Sequence, residues 1–205
     1  TPVVIAARLE GKLEWDEQLM PDFIYRPSHN NENLIPNPSS LIPNPSLIVD
    51  APYWTGEPNT YPAYQPEQLP FLGACSASIK FLFLTYMGLN DEAIACLKLH
   101  PEVVIIAQSN HPNRTGELRA LVHQLMNEGL QNPVVLFSHY AEQEAENLQI
   151  KSAADLGALL FDGLADGIFL YNQGNEIPAT TVDSTAFGIL QAARLRTSKT
   201  EYISC

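Results

Sequence analysis

Residues 102–137 read EVVIIAQSNHPNRTGELRALVHQLMNEGLQNPVVLF, and this stretch decides the fold. The β-branched run Val103–Ile106 has no polar alternation, which predicts a strand over 102–108 that is buried on both faces. From Thr115 to Glu128 leucine and valine recur on one helical face, and a glycine follows as a stop signal. The run Pro133–Phe137 predicts a second buried strand. Strand, helix and strand in this order predict a βαβ unit with parallel strands.

The same alternation extends in both directions along the chain. Helices are predicted at 91–98, 152–161 and 183–196, the last capped by Asp183 or Ser184. Further strands are predicted at 3–7, 23–25, 47–50 and 165–170, and 79–86 is a strand or a short buried helix. Six or seven strands fall short of an eightfold barrel, and no GxGxxG follows any of them. We therefore expect an α/β fold, a partial or degenerate TIM-barrel-like domain with parallel strands.

A proline-rich stretch precedes the regular part of the chain. Residues 26–75 are predicted to form an irregular surface excursion, because proline fixes φ and lacks a backbone donor. It contains a tandem heptapeptide, LIPNPSS at 34–40 and LIPNPSL at 41–47. A slipped duplication tolerated in a loop is the favoured interpretation, and a docking site for a proline motif is the alternative.

Composition narrows the classes of partner. The 205 residues include 11 Lys and Arg against 23 Asp and Glu, and the net charge of -12 repels phosphate backbones and anionic lipids. We therefore expect no nucleic-acid or membrane partner. The three cysteines (Cys75, Cys96 and Cys205) have no metal-site spacing and an odd count, which favours a reducing cytoplasm. The chain starts at Thr1 and stops in a strand-like run, so we expect a piece of a longer protein.

Two kinds of position could carry chemistry. Asp162 and Asp166 are each followed by glycine, and such a pair could serve in acid–base catalysis or hold a metal. Asp-Gly is also common turn chemistry, and this loop enters a strand from its N-terminal side, whereas active sites of parallel sheets gather at the C-terminal ends. The turn interpretation is therefore favoured.

Loops that leave C-terminal strand ends are better pocket candidates. His111 and His139 lie in two such loops, and Arg114 could meet an anion at the start of the following helix. Solvated polar loops are the simpler interpretation, because no nucleophile and base stand at a diagnostic spacing. Near the end of the chain, Arg194, Arg196 and Lys199 are interpreted as complements to a helix dipole on a solvated face.

Two segments resemble one enzyme family. Residues 188–205, GILQAARLRTSKTEYISC, resemble the lead into the cluster motif of the 4-hydroxy-3-methylbut-2-en-1-yl diphosphate synthases, which continue as CPSCGRT. Residues 159–170, LLFDGLADGIFL, are similar to the family's LxxDGLGDG segment, with Ala165 at a common glycine position, which puts the loop geometry in doubt. The agreement is specific from about residue 100 to 205 and weak or absent over 1–75.

The resemblance implies the inserted middle domain of the family's long form. Residues 1–185 would form this α/β insert, and 186–205 the closing helix and the lead into an iron–sulfur domain. It implies a parent oxidoreductase of non-mevalonate isoprenoid biosynthesis in the bacterial cytoplasm. A [4Fe-4S] cluster in that parent would reduce 2-C-methyl-D-erythritol 2,4-cyclodiphosphate with electrons from ferredoxin or flavodoxin. Cys205 matches the first cysteine of CPSC, a thiolate ligand to iron.

The resemblance implies no catalytic residue within this segment. The insert is then expected to be inactive alone and to act as a spacer that positions the iron–sulfur domain over a catalytic barrel, both lying outside this chain. Two alternatives stay open. One is an interaction module that docks the electron donor, and the other is an independent barrel enzyme that acts on a phosphorylated metabolite through the loops of His111 and His139.

Overall fold

Eight parallel strands form a closed barrel in which each strand pairs with its neighbours in chain order, and β8 pairs with β1. The computed structural model describes residues 1–10, 13–28 and 44–198. The strands are β1 (Val3–Ala7), β2 (Phe23–Tyr25), β3 (Ser46–Asp50), β4 (Thr60–Tyr64), β5 (Lys80–Leu84), β6 (Val103–Ala107), β7 (Val134–Tyr140) and β8 (Gly167–Asn172). The helices are α1 (Leu69–Leu72), α2 (Asp91–Leu99), α3 (Arg114–Asn127), α4 (Ala145–Phe161) and α5 (Ala179–Ala192).

The predicted α/β class and parallel TIM-like barrel are confirmed, but the strand count of six or seven is too low. The strand that the sequence did not reveal is β4, which has Pro62 at its centre. Proline interrupts a strand pattern because it cannot donate to the ladder. In the structure β4 pairs with β5 only at Ala63 and Tyr64, after the proline. The ladder on that side therefore does not use the missing donor.

The helical layer is uneven, which is the degenerate feature of this barrel. In the described parts of the chain, the only α-helix before Asp91 is the single-turn α1. From α2 onward each strand is followed by a full helix. The excursion predicted at 26–75 was wrong in two respects, because it follows β1 and β2 rather than preceding the barrel, and because it contains β4 and α1 in addition to the strand expected at 47–50. Most of the tandem heptapeptide, residues 34–43, lies outside the described residues.

Alternate strand residues divide the core into two layers. The barrel interior is filled by inward side chains of seven strands, namely Ile5, Ile48, Ala63, Phe81, Phe83, Ile106, Val135 and Phe169. Outward residues such as Ile105 and Leu136 pack beneath the helices in a second, larger cluster. Parallel strands that are buried on both faces explain the unbroken apolar runs in the sequence.

The final helix starts earlier than predicted. The helix expected at 183–196 is observed as α5, with Pro178 at the N-cap position, so the predicted cap at Asp183 or Ser184 was wrong. Asp183 lies one turn inside the helix and is buried. The predicted boundary at 185/186 falls within α5, which packs against β1, β8 and α4. None of the described helices is both long and apolar enough to span a membrane.

Candidate functional site

The C-terminal end of the barrel, where related folds carry their active sites, has an aromatic floor. The rings of Phe137 and Phe169 meet edge to face with centroids 4.8 Å apart, and Tyr25 contacts Phe83 and Phe169 at 5.6 and 5.7 Å. A cavity of about 260 Å³ lies above these rings. Of the described residues that line it, none is charged, and the polar ones are glutamine and tyrosine. We call this end of the barrel the mouth. Its centre is therefore formed by packed aromatic rings.

The two histidine loops meet beside that floor. His111 and His139 both line a cavity of about 490 Å³, together with Gln108, Ser109 and Tyr171. The ring of His139 stacks on Tyr171 with centroids 5.1 Å apart. The Nδ1 atom of His111 accepts a hydrogen bond from the backbone N–H of Asn113 at 3.0 Å, which shapes the turn before α3. The structure thus unites the predicted loops, with both histidines exposed at the surface.

Arg114 is held by protein groups at the rim of this cavity. Its Nη1 donates to Asp155 Oδ2 at 3.0 Å, and its Nη2 donates to the carbonyl of His139 at 3.3 Å. The hydroxyl of Tyr140 donates to the same Asp155 oxygen at 2.9 Å, and burial together with Asp155 raises the pKa of Tyr140. The guanidinium also lies over the Tyr140 ring at 5.0 Å. These contacts tie α3, α4 and β7 together and engage both terminal nitrogens of the side chain that was expected to meet an anion.

Asp162 and Asp166 lie at the opposite end of the barrel, which we call the base. Asp162 is exposed and accepts a hydrogen bond from Arg119 Nη2 at 2.7 Å. Asp166 Oδ2 accepts from the backbone N–H of Val134 at 2.9 Å, and its carbonyl accepts from Val3 N–H at 2.8 Å. The pair therefore belongs to turns that join α4 to β8 and bind β8 to its neighbours.

The glycines of this loop have separate structural roles. Gly163 has a φ of 71°, and Gly167 packs so tightly that a Cβ there would lie 2.6 Å from Val3 Cγ2. Ala165 is not among the described non-glycine residues with positive φ. The alanine at this position therefore needs none of glycine's conformational freedom, and the local doubt about the loop geometry is removed.

Two polar pairs at the mouth carry no signal in the local sequence. Arg8 and Asp183 form a buried ion pair in which each side chain is 5% exposed. Burial raises the pKa of Asp183, whereas Arg8 acts to lower it. The Tyr25 hydroxyl donates to Asp50 Oδ1 at 2.8 Å, and burial raises the pKa of Asp50. Both pairs join residues that are distant in sequence, so no local spacing could reveal them.

The ion pair between Arg196 and Asp22 attaches the end of the described chain to the base. Arg196 Nη1 donates to Asp22 Oδ2 at 2.5 Å and to the carbonyl of Pro2 at 3.1 Å. Asp22 Oδ2 also accepts from the backbone N–H of Val4 at 2.8 Å. We call Arg196, Asp22 and Pro2 the base clamp. It replaces the solvated dipole role predicted for Arg196, and it holds the segments before β1 and after α5 side by side.

The residues that could ligate metal are dispersed in the described part of the chain. Cys75 follows α1 and Cys96 lies within α2, and both are free and half-buried. The described residues contain no group of three or more His, Cys, Asp or Glu side chains that could hold a metal ion. Cys205 and Lys199 lie outside the described residues.

Comparison with known proteins extends the resemblance over the whole chain. A protein of Bacteroides thetaiotaomicron named 4-hydroxy-3-methylbut-2-en-1-yl diphosphate synthase (flavodoxin) is 61% identical over 208 residues, covering 100% of this chain and 32% of the relative. A Phocaeicola vulgatus protein of the same name is 60% identical, with the same coverage. A chloroplastic rice protein, named as the ferredoxin form, is 37% identical over 45% of this chain and 12% of its own length.

These relatives show the resemblance to the synthases plainly and correct its predicted extent. The chain spans about a third of the length of the bacterial relatives, and residues 1–75 are included in the match. An absence of agreement over that region, which was one of the two expectations, was therefore wrong. No family model matches the chain. No solved structure matches it either.

Proposed function

We propose that this chain is a non-catalytic segment of a 4-hydroxy-3-methylbut-2-en-1-yl diphosphate synthase, and that its barrel is a spacer between the enzyme's other domains. The whole of this chain matches bacterial proteins named as synthases, of which it covers 32%. This match supports the assignment to a parent enzyme of that kind. The parent would act in the bacterial cytoplasm on 2-C-methyl-D-erythritol 2,4-cyclodiphosphate. It would take electrons from flavodoxin or ferredoxin, the donors in the relatives' names.

The observation that carries the spacer role is the aromatic mouth. A barrel that performs chemistry presents polar groups from several strand ends to its substrate. Here Phe83, Phe137 and Phe169 fill that position. Nearby, Arg114 and Asp155 are engaged with each other in an ion pair that joins two helices. Such a barrel can hold the neighbouring domains in place without taking part in the reaction.

The base clamp supports the same role. Pro2 and Arg196 lie in contact, so a parent chain can enter and leave the barrel at one place. A domain inserted in this way needs only a local interruption of its host. The clamp also limits how far the segment after α5 can swing relative to β1. We infer that it fixes the direction in which the chain continues towards an iron–sulfur domain.

Cys205 is proposed as one thiolate ligand of a [4Fe-4S] cluster in the parent enzyme. The two other cysteines of this chain lie separately within the barrel, so the remaining ligands would come from outside the chain. When bound, such a cluster would supply electrons for opening the cyclic diphosphate and removing a hydroxyl. The residues of this chain would position the iron–sulfur domain relative to the catalytic barrel, because the reacting groups must meet within contact distance.

The test is to replace the candidate catalytic side chains in the full-length parent. His111→Ala, His139→Ala, Asp162→Asn and Asp166→Asn should each keep turnover within about threefold, whereas loss of a true acid or base costs roughly 100- to 10,000-fold. Thermal unfolding of each variant provides the control for folding. A thousandfold loss of turnover in a variant that folds normally would refute the spacer role.

A further inference from the structure

Three large apolar side chains lie exposed at equivalent places on successive helices. Leu99 ends α2, Met126 is the penultimate residue of α3, and Phe161 ends α4. Their exposed fractions are 77%, 60% and 74%. Each helix is followed within a few residues by the start of the next strand, so all three side chains lie at the base of the barrel. We call Leu99, Met126 and Phe161 the base patch.

The base patch contributes little to the packing of the barrel core. The buried leucines that immediately precede two of these residues, Leu125 in α3 and Leu160 in α4, already supply the contacts to the core. Charged groups near the patch pair with one another, Lys98 with Glu128 at 3.8 Å and Arg119 with Asp162 at 2.7 Å. Single exposed apolar residues are ordinary, but three at corresponding helix ends on one face suggest a contact surface.

The position of the base clamp identifies what covers this face. Pro2 and Arg196 also lie at the base, so the polypeptide that adjoins this segment in a longer parent would be held against the same end of the barrel. The relatives are about three times as long as the match, which leaves ample chain for a docked domain. The mouth, at the far end, is remote from the clamp.

We propose that the base patch packs against the adjoining domain of the same parent polypeptide. This inference rests on the proposed function, in which the chain is an internal segment of a longer enzyme. It adds that the spacer is fastened through an apolar contact as well as through its covalent connections. Burying apolar side chains at a domain contact would restrict rotation about the clamp and so keep the domains in register.

Methionine oxidation in the full-length parent tests the contact without any substitution. Met126 belongs to the base patch, and Met87, which is 82% exposed in the loop after β5, is the matched control at the mouth. With limited peroxide, Met126 should be oxidised about tenfold more slowly than Met87, because a docked domain excludes the oxidant. Peptide mass spectrometry measures both rates in one sample. Equal rates would overturn the proposal.

Two further measurements separate the possible causes. The rates are repeated at protein concentrations where the parent is monomeric and where it associates, and protection of Met126 that needs association would overturn the same-chain contact in favour of a second copy. Turnover of the same sample is measured in parallel. An active synthase with an unprotected Met126 refutes the contact and leaves the proposed function intact, whereas an inactive parent argues against the function itself.

Substitutions test what the contact does. Phe161→Lys in the full-length parent should lower turnover about tenfold through domain misplacement, with unchanged unfolding temperature of the barrel. Ile150→Lys is the control, since Ile150 is comparably exposed near the mouth end of α4. Equal turnover in the two variants would contradict a docking role for the base patch.

Discussion

Buried charges at the base are stabilised by one compact network. Lys80 opens β5 with its side chain only 4% exposed, and its Nζ donates to Glu102 Oε1 at 2.8 Å. His100 Nδ1 lies 3.0 Å from the same oxygen. The hydrogen bond from Lys80 is the main reason why the pKa of Glu102 falls from 4.5 to about 2. A buried ammonium group is tolerated here because its counter-charge is close.

This network predicts a defined pH dependence. Because the pKa of Glu102 is lower in the folded chain than in the unfolded one, its stabilising effect is complete above about pH 4.5 and is lost as the pH falls towards 2. Glu102→Gln should reduce the free energy of unfolding by about 2 kcal/mol at pH 7. Urea unfolding at pH 7 and pH 3 measures the difference from the parent sequence, which should shrink at the lower pH. A constant difference would contradict this account.

The Arg8–Asp183 pair predicts a larger effect. Removing one partner leaves the other charge buried alone, so Asp183→Asn should cost about 3–5 kcal/mol of unfolding free energy. The double variant Arg8→Met, Asp183→Leu removes both charges and should recover most of that loss. Urea unfolding at neutral pH compares the three chains. A loss below about 1 kcal/mol in the single variant would mean that the pair is solvated in practice.

These pairs also mark where sequence reasoning fails. Arg8 and Asp183 are 175 positions apart, and Arg196 and Asp22 are 174 apart. Local patterns carry no information on such partners, so Asp183 was mistaken for a helix cap and Arg196 for a dipole complement. The Asp-Gly turn at Asp162 was predictable because its hydrogen bonds and glycine geometry are set by adjacent residues.

Three helices of the barrel end in the same way. After α3 and α4, Gly129 and Gly163 take positive φ and give their N–H groups to carbonyls in the last turn, with a second bond from the following leucine. This Schellman arrangement caps the helix, and glycine suits it best. After α5 the equivalent position is Arg194, with a φ of 60°. A non-glycine residue there carries a conformational cost.

Arg194→Gly should therefore stabilise the chain. Relief of the left-handed strain is expected to raise the free energy of unfolding by about 1 kcal/mol, less the extra flexibility of glycine in the unfolded chain. Gly163→Ala is the opposite control and should destabilise by a similar amount. Thermal and urea unfolding measure both. Destabilisation by Arg194→Gly would show that the arginine side chain contributes more than the strain costs.

Regular elements were predictable wherever one periodicity dominates. The bounds of β1 and β2 agree with the sequence prediction, and those of β6 and α3 differ from it by one residue at each end. Predictions failed where proline interrupts the pattern, as in β4, and where polar residues extend a helix, as in the first turns of α4 and α5. In those places tertiary pairing, which no local rule contains, decides the structure.

The barrel as a whole has two chemically different ends. The mouth carries an aromatic floor and two exposed histidines, whereas the base carries the clamp and the base patch. Parallel strands with right-handed crossovers require that all helix ends of one kind share a face. The sequence could therefore place the histidine loops at one end and the aspartates at the other, but not the contacts that each of them makes.

The most direct test of the spacer role compares turnover of two variants of the full-length parent. One has a weakened base clamp and the other has an altered mouth. Arg196→Gln should lower turnover about tenfold or more, because the direction of the following chain is no longer fixed, whereas the double variant His111→Ala, His139→Ala should stay within about threefold. Lys98→Gln, which removes the exposed ion pair with Glu128 at the base of the barrel, is the control. All variants must have the same unfolding temperature. Loss of turnover in the mouth variant, with normal turnover in the clamp variant, would contradict the account.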